Sequence, residues 1–385
     1  LNDYHKSSVL SSPRQIDIAI TGRCNLACRY CFFADEMVAR SDLPTGRWLS
    51  FFDELGEMGV MTVSLTGGEV FTRPDLFELI DGLIANRMRY ELLSNGTLIT
   101  EKVLEQFEIG KRRQRLNSIQ ISVDGASAEV HDRSRPKSFS RVLRALKLLK
   151  EAGYPVSVRV TINRHNVDDL ENVARLLLEE VGLESFSTNE AYACGATDRS
   201  EGSIILTPTQ RQQAMEVLTR LSKSYDRRIQ AQAGPLAMAR EMQIIDEMRA
   251  GGKTGRPGRG VLASCGCAFS KLSVLHDGVI VPCHVLSTYH LGIVGFNRLR
   301  EIWSVHPTLS ALRHRHEIPL STLPTCQDCD YIGFCLGGCP GGAVHAYGEM
   351  NARNPMDCYR VLKNEDPFYT LSETPIFSTT DDRNE

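Results

Sequence analysis

The stretch IDIAITGRCNLACRYCFF, residues 16–33, joins a β-rich run to a loop that carries Cys24, Cys28 and Cys31. Three thiolates at the end of a strand suit an iron–sulfur cluster. A four-iron cluster needs four ligands, so three cysteines leave one iron open to an external molecule. Zinc with three protein ligands and a water is the other reading of such a trio. The residues alone leave both open.

Outward from this stretch the chain alternates. MTVSLTG (61–67), RYELLSN (89–95), SIQISVDG (118–125), VSVRVTIN (156–163) and ESFSTNEAY (184–192) are also β-rich, giving six strands with IDIAIT. Helical stretches lie between them. In SRVLRALKLLKEAGY, Val142, Leu146 and Leu149 recur at helical spacing, while Arg141, Arg144 and Lys147 fall elsewhere on the wheel. Such alternation demands right-handed crossovers and a parallel sheet. The expected fold is therefore α/β, a partial (β/α)6 parallel barrel. Parallel barrels carry their chemistry at the C-terminal strand ends, where the cysteine loop falls.

After Tyr192 the pattern changes. Two helices, TPTQRQQAMEVLTRLSKSYD and PLAMAREMQIIDEMRA, lead into GGKTGRPGRG, and eight of the twelve cysteines follow. The division expected is a lead-in at 1–15, the barrel at 16–195, a helical bridge and Gly-rich linker at 196–259, a cysteine-rich domain at 260–365 and a tail at 366–385. LSETPIFSTTDDRNE at the end reads as poorly ordered. Zinc competes for CQDCDYIGFCLGGC. Either metal would supply folding energy to a segment with a thin core.

Composition excludes several classes. With 44 Lys+Arg against 47 Asp+Glu and a net charge of -3, nothing points to nucleic acid or an anionic membrane surface as partner. No apolar run approaches the ~20 residues of a bilayer span, and LNDYHKSSVL lacks a signal-peptide profile. A soluble cytoplasmic protein is expected. Its twelve cysteines then read as metal ligands or redox groups rather than disulfides.

The spacing Cys24, Cys28, Cys31, with Tyr30 before and Phe32 after the last cysteine, resembles the signature of radical S-adenosylmethionine (SAM) enzymes. The resemblance implies a cluster whose open iron chelates SAM, reductive cleavage to a 5′-deoxyadenosyl radical, and abstraction of a substrate hydrogen atom. It further implies that Thr66, Gly67, Gly68 and Glu69 (TGGE) contact the SAM amino group, glycine allowing close backbone approach. Ser94 and Asn95 (SNG) and Ser122 and Asp124 (SVDG) match strand-end positions used for the ribose and methionine moieties. Asn-Gly and Asp-Gly are also ordinary turn formers. HDRSR resembles a segment of peptide-modifying members, with Arg135 able to hold a carboxylate.

The C-terminal cysteines, with Gly278 between Cys267 and Cys283, resemble the SPASM domain of peptide-maturing members. The resemblance implies three 4Fe-4S clusters. Cys267, Cys283 and Cys339 would hold a first auxiliary cluster with Cys265 as fourth ligand, although CGC is tighter than the usual spacing. Cys326, Cys329, Cys335 and Cys358 would hold a second. Cys194 is then left over, a hydrogen-atom donor by analogy with epimerases or a small buried residue. His284 stands where sulfatase-maturing members carry an aspartate base; it is a candidate base or a hydrogen-bonding neighbour of a cluster.

The class most resembled is the maturases of ribosomally made peptides, with crosslinking, epimerisation and tyramine-type backbone excision unranked. A sulfatase-maturing enzyme is the alternative, and an iron–sulfur electron-transfer protein the alternative from another class. The partners expected are a precursor peptide, an electron donor and, with a first strand at Ile16 leaving no room for a leader-binding module, a separate leader-recognition protein.

Overall fold

Parallel strands buried on both faces read as continuous apolar runs, and the first strand is one. Ile16, Ile18, Ala19, Ile20 and Thr21 are all fully buried in the computed structural model, which describes residues 9–39, 41–199, 204–363 and 365–366. The tail at 371–385 lies outside the described residues. Strands β1 (Gln15–Thr21), β2 (Thr62–Gly67), β3 (Arg89–Ser94), β4 (Leu116–Ser122), β5 (Val156–Ile162) and β6 (Phe186–Glu190) follow one another in space as in sequence, all parallel. Each strand-to-strand crossover contains helix. The parallel α/β barrel sheet expected from the alternation is the sheet observed.

Helix Thr45–Met58 buries Trp48, Phe51, Phe52, Leu55 and Met58, a stripe at helical spacing. It ends at Gly59, whose φ of 76° lets the chain turn back into β2. Helix Phe139–Glu151 buries Val142, Ala145, Leu146 and Leu149 and leaves Arg141, Arg144 and Lys147 exposed, as its pattern requires. A one-residue slip of any buried strand would exchange its two faces, so these aliphatic rows also fix the register.

The sheet continues past six strands at both edges. Beyond β6, β7 (Ile229–Ala231) pairs in parallel between helices Pro208–Ser224 and Pro235–Ala250. The first of these helices starts with a capping box between Thr207 and Gln210. At the other edge β8 (Lys271–Val274) pairs in parallel with β1, from Gln15↔Lys271 to Ile18↔Val274. β9 (Val279–Val281) and β10 (Gly292–Ile293) then add antiparallel, completing ten strands in the order β10-β9-β8-β1-β2-β3-β4-β5-β6-β7. The cysteine-rich segment thus begins as an extension of the barrel sheet. That pairing sets Cys267 just before β8 and Cys283 just after β9. Among the described residues no helix is long and apolar enough to cross a membrane.

Candidate active site and cluster centres

The loop between β1 and its helix is pinned at both ends. Asp42 accepts from Thr21 Oγ1 at 2.7 Å and from the Gly22 N–H at 2.7 Å. Buried Arg73 donates to the carbonyls of Ile20 and Leu43 and is itself held by Asp75. Between these anchors stand Cys24, Cys28 and Cys31, all half-buried. Burial raises all three thiol pKa values, that of Cys31 to about 11 with further help from the neighbouring Cys28. Thiolates there need a cationic partner, which coordinated iron supplies.

The TGGE segment lies directly against this loop. The Gly68 N–H donates to Thr21 O and the Glu69 N–H to Arg23 O, both at 2.8 Å. A Cβ at Gly68 would sit 2.2 Å from Arg23 O and 3.1 Å from Cys24 Cβ, and one at Gly67 2.3 Å from Thr21 O. Glycine is required for that approach. Glu69 is fully buried, and its carboxylate accepts from Ser94 Oγ at 2.8 Å, Asn95 N–H at 2.7 Å and Phe71 N–H at 3.3 Å. It fastens the end of β2 to the end of β3. Asn95 Nδ2 reaches Asn25 Oδ1 in the cysteine loop at 2.9 Å, and Asn25 Nδ2 reaches Thr97 Oγ1 at 2.8 Å.

The end of β4 makes the third attachment. Fully buried Asp124 accepts from Tyr30 Oη and, at 2.6 Å, from Arg135 Nε through one oxygen, and from Thr161 N–H at 2.8 Å through the other. Arg135 lies 5.3 Å over the Tyr30 ring and directs Nη1 to Cys28 Sγ at 3.7 Å. The Asp124 N–H donates to His131 Nδ1 at 3.1 Å, which places the ring proton on Nε2, 3.0 Å from Ser138 Oγ. Ser138 Oγ donates to Arg135 O at 2.7 Å and closes the ring of bonds. Ser122, also at this strand end, is half-buried.

Two further elements close over the loop. A Cβ at Gly195 would meet Cys31 O at 2.5 Å, and the Ala196 N–H donates to Cys31 O at 3.0 Å. Cys194 is buried in this turn, 4 % exposed, its N–H bonded to Thr197 Oγ1 at 2.7 Å. From the opposite edge, His284 packs against Phe32 and Phe33 with ring centroids 6.5 and 5.9 Å apart. Its Nε2 is 3.3 Å from Val274 O, and burial lowers its pKa, keeping the ring neutral. Phe32 is 47 % exposed. Tyr192 Oη donates to Asn354 Oδ1 at 3.0 Å, tying the end of β6 to the C-terminal segment.

Cys265, Cys267, Cys283 and Cys339 meet beside β8 and β9. A hydrogen bond from the Cys267 thiol lowers the pKa values of Cys265 and Cys283, while its own rises. Cys339 feels Cys283 and Cys265. Despite the tight CGC spacing, Cys265 joins the group. Cys326, Cys329, Cys335 and Cys358 line one pocket with Tyr331, Tyr359 and Arg353. Arg353 Nη1 lies 2.8 Å from Cys358 Sγ. Among the described residues no three His, Cys, Asp or Glu side chains close on a single metal-ion site. Four thiols round a shared space fit a multi-iron cluster, whose ligands bind different irons.

The residues that sequence reasoning did not single out are Asn25, Asp42, Arg73 and Thr97. Arg73 and Asp42 carry no motif signal, because partners such as the Ile20 and Leu43 carbonyls, the Gly22 N–H and the Thr21 hydroxyl are brought to them by the fold.

Residues 18–177 match the Radical SAM superfamily model, and 265–330 match that of an iron–sulfur cluster-binding domain, SPASM. The AdoMet-dependent heme synthase of Methanosarcina barkeri is 27% identical over 92% of this chain and 98% of its own length. The PqqA peptide cyclase of Ruegeria pomeroyi is 28% identical over 88% and 85%. The crystal structure of Streptococcus suis SuiB bound to precursor peptide SuiA superimposes with a TM-score of 0.70 at 17% identity, over 92% of this chain and 77% of that one, and shares the fold. With a SAM-type cysteine loop at the head of its barrel and a SPASM segment built onto the same sheet, the chain carries the two domains of SPASM-type radical SAM enzymes, which indicate iron–sulfur clusters and SAM binding, and resembles maturases of ribosomally synthesised peptides.

Proposed function

We propose that this chain is a peptide maturase that takes a hydrogen atom from a ribosomally made precursor, with three 4Fe-4S clusters held by Cys24, Cys28 and Cys31, by Cys265, Cys267, Cys283 and Cys339, and by Cys326, Cys329, Cys335 and Cys358. The observation that carries it is the attachment of one cysteine loop to the ends of β2, β3 and β4, beside a C-terminal thiol set joined to β1. SAM bound at the reduced cluster supplies the radical. The peptide substrate is favoured by the likeness to PqqA peptide cyclase.

The chain's own residues divide the work. Gly67 and Gly68 bring backbone to the cofactor, and Ser122 offers a half-buried hydroxyl at the end of β4. Glu69 spends its side-chain bonds on joining the ends of β2 and β3, and Asp124 and Arg135 theirs on holding the cysteine loop, so their service to SAM is to place the groups that touch it. His284, neutral and with Nε2 turned to Val274 O, presents Nδ1 as a proton acceptor beside the exposed Phe32. Cys194 is buried in the turn whose next residues, Gly195 and Ala196, meet the Cys31 carbonyl, and acts in packing. An electron donor and a separate leader-recognition protein complete the system.

The test is the mass of the short peptide encoded beside the gene after anaerobic co-expression in ordinary and deuterated water. Loss of two hydrogens means crosslinking or oxidation; one solvent deuteron gained at carbon means epimerisation and restores Cys194 as donor; loss of a residue-sized fragment means excision. A second reading, radical modification of a heme precursor, is favoured by the full-length match to the heme synthase. An unaltered peptide alongside an altered heme precursor would replace the first reading by the second.

A further inference from the structure

Arg313 and Arg315 reach beneath the Cys265–Cys267 turn from the segment that ends helix Pro307–His314. Arg315 is 1 % exposed; it donates Nη1 to Ala263 O and, at 3.5 Å, Nη2 to Ala352 O, and its Nε is buried without a hydrogen-bond partner. Arg313 is 9 % exposed, with Nε on Ala268 O at 2.8 Å, the guanidinium 4.7 Å over the Trp303 ring, and Nη2 buried without a partner. Ala263 and Ala268 bracket Cys265 and Cys267. Two buried cations thus clasp one cysteine turn.

The buried arginines at the other two cysteine sets are neutralised. Arg135 at Cys28 pairs with Asp124, and Arg353 at Cys358 pairs with Asp366. Among the described residues no carboxylate pairs with Arg313 or Arg315. Burial pulls the Arg315 pKa down to about 10, and the groups that oppose this are the thiols of Cys339, Cys267 and Cys265. A buried guanidinium without an anion is costly, and a cluster on these four thiols, of which Cys267 is buried, Cys283 and Cys339 half-buried and Cys265 exposed, would bring negative charge to the protein side of the turn. Each supplies what the other lacks.

We propose that Arg315, supported by Arg313, is the counter-charge of the cluster held by Cys265, Cys267, Cys283 and Cys339, and holds its reduction potential above that of the same cluster without it. This rests on the reading that those four cysteines carry a cluster. One electron from the donor makes the cluster more negative, and a fixed cation stabilises the reduced form. No proton need move. Arg353, already paired with Asp366, has a weaker hold on the second auxiliary cluster.

The test uses the full chain, anaerobically reconstituted, with Cys24, Cys28 and Cys31 replaced by Ala so that only the C-terminal clusters remain. Iron content and EPR-monitored redox titrations are compared for this parent, Arg315→Met and Arg315→Lys. Arg315→Met is expected to lower one cluster's reduction equilibrium about tenfold, ~59 mV for one electron, leaving the other unmoved, and Arg315→Lys to stay near the parent. Loss of one cluster's iron in Arg315→Met that Arg315→Lys regains supports the same conclusion. Full iron with unmoved potentials in Arg315→Met overturns it, as does equal loss in both variants, which would show shape rather than charge at work. Failure of the underlying reading is distinct: iron content would not fall when Cys265, Cys267, Cys283 and Cys339 are replaced by Ala.

Discussion

Tyr30, in the cysteine loop, donates a hydrogen bond to the buried carboxylate of Asp124 at the end of β4, and the same oxygen takes Arg135 Nε at 2.6 Å. The loop that carries the SAM-type cysteines, after β1, is therefore positioned by a charge pair three strands further on, after β4. Asp124→Asn leaves Arg135 a buried, unpaired cation, a loss of about 3–5 kcal/mol. Tyr30→Phe removes one donor and costs about 1–3 kcal/mol. Chemical unfolding of the reconstituted protein should rank them so, and Asp124→Asn should also lose the iron of one cluster. Equal stability of Asp124→Asn and wild type would refute the role of this pair.

The same ring of bonds gives a pH dependence. Burial depresses the His131 pKa to about 4, while the unfolded chain takes up that proton near 6.5. Unfolded chains bind more protons between those values, so the stabilisation is complete above pH 6.5 and is lost as pH falls towards 4. Between pH 7 and pH 5 this one group should cost roughly 2 kcal/mol. Thermal midpoints of wild type and His131→Gln should converge over that interval. Parallel pH profiles would mean that His131 is not held neutral.

Gly68→Ala should abolish binding of the SAM cluster, because the new methyl meets the Arg23 carbonyl, a backbone atom with no room to move. Gly46→Ala is the matched control: nothing lies within 4 Å of its Cβ, in the first turn of helix Thr45–Met58. Iron content and the SAM-induced change in the EPR spectrum should be lost in the first and kept in the second.

Iron removal should loosen the C-terminal segment selectively. Around Cys326, Cys329 and Cys335 the chain forms only single 3-10 turns, whereas β1 to β6 have a continuous aliphatic core. Hydrogen exchange after chelation should rise most between Cys326 and Cys358, leaving β2 to β5 protected. Uniform protection across the chain would show that this segment holds itself together without metal.

Six strands were readable because each couples a β-rich run to an amphipathic helix. β7 was not, since three residues, Ile229–Ala231, carry no period. β8 escaped for a different reason: its partner, β1, lies some 250 residues earlier, and no local pattern announces pairing at that distance. At the site, spacing located the cysteines, and Cys265 meets its group despite the irregular CGC. Spacing could not say where a carboxylate points. Glu69 and Asp124 look alike in sequence as strand-end acids open to a ligand, and only the fold shows both turned onto backbone N–H groups.

The most direct measurement is deuterium transfer. Reduced protein, SAM and the adjacent precursor peptide, perdeuterated at its side chains and α-carbons, are incubated without oxygen, and the 5′-deoxyadenosine formed is weighed by mass spectrometry. Deuterium in that product is expected on the proposed function, in which the peptide gives up the hydrogen atom. Unlabelled 5′-deoxyadenosine with the peptide, but labelled product with a deuterated heme precursor, would contradict the peptide assignment while leaving the radical SAM chemistry standing.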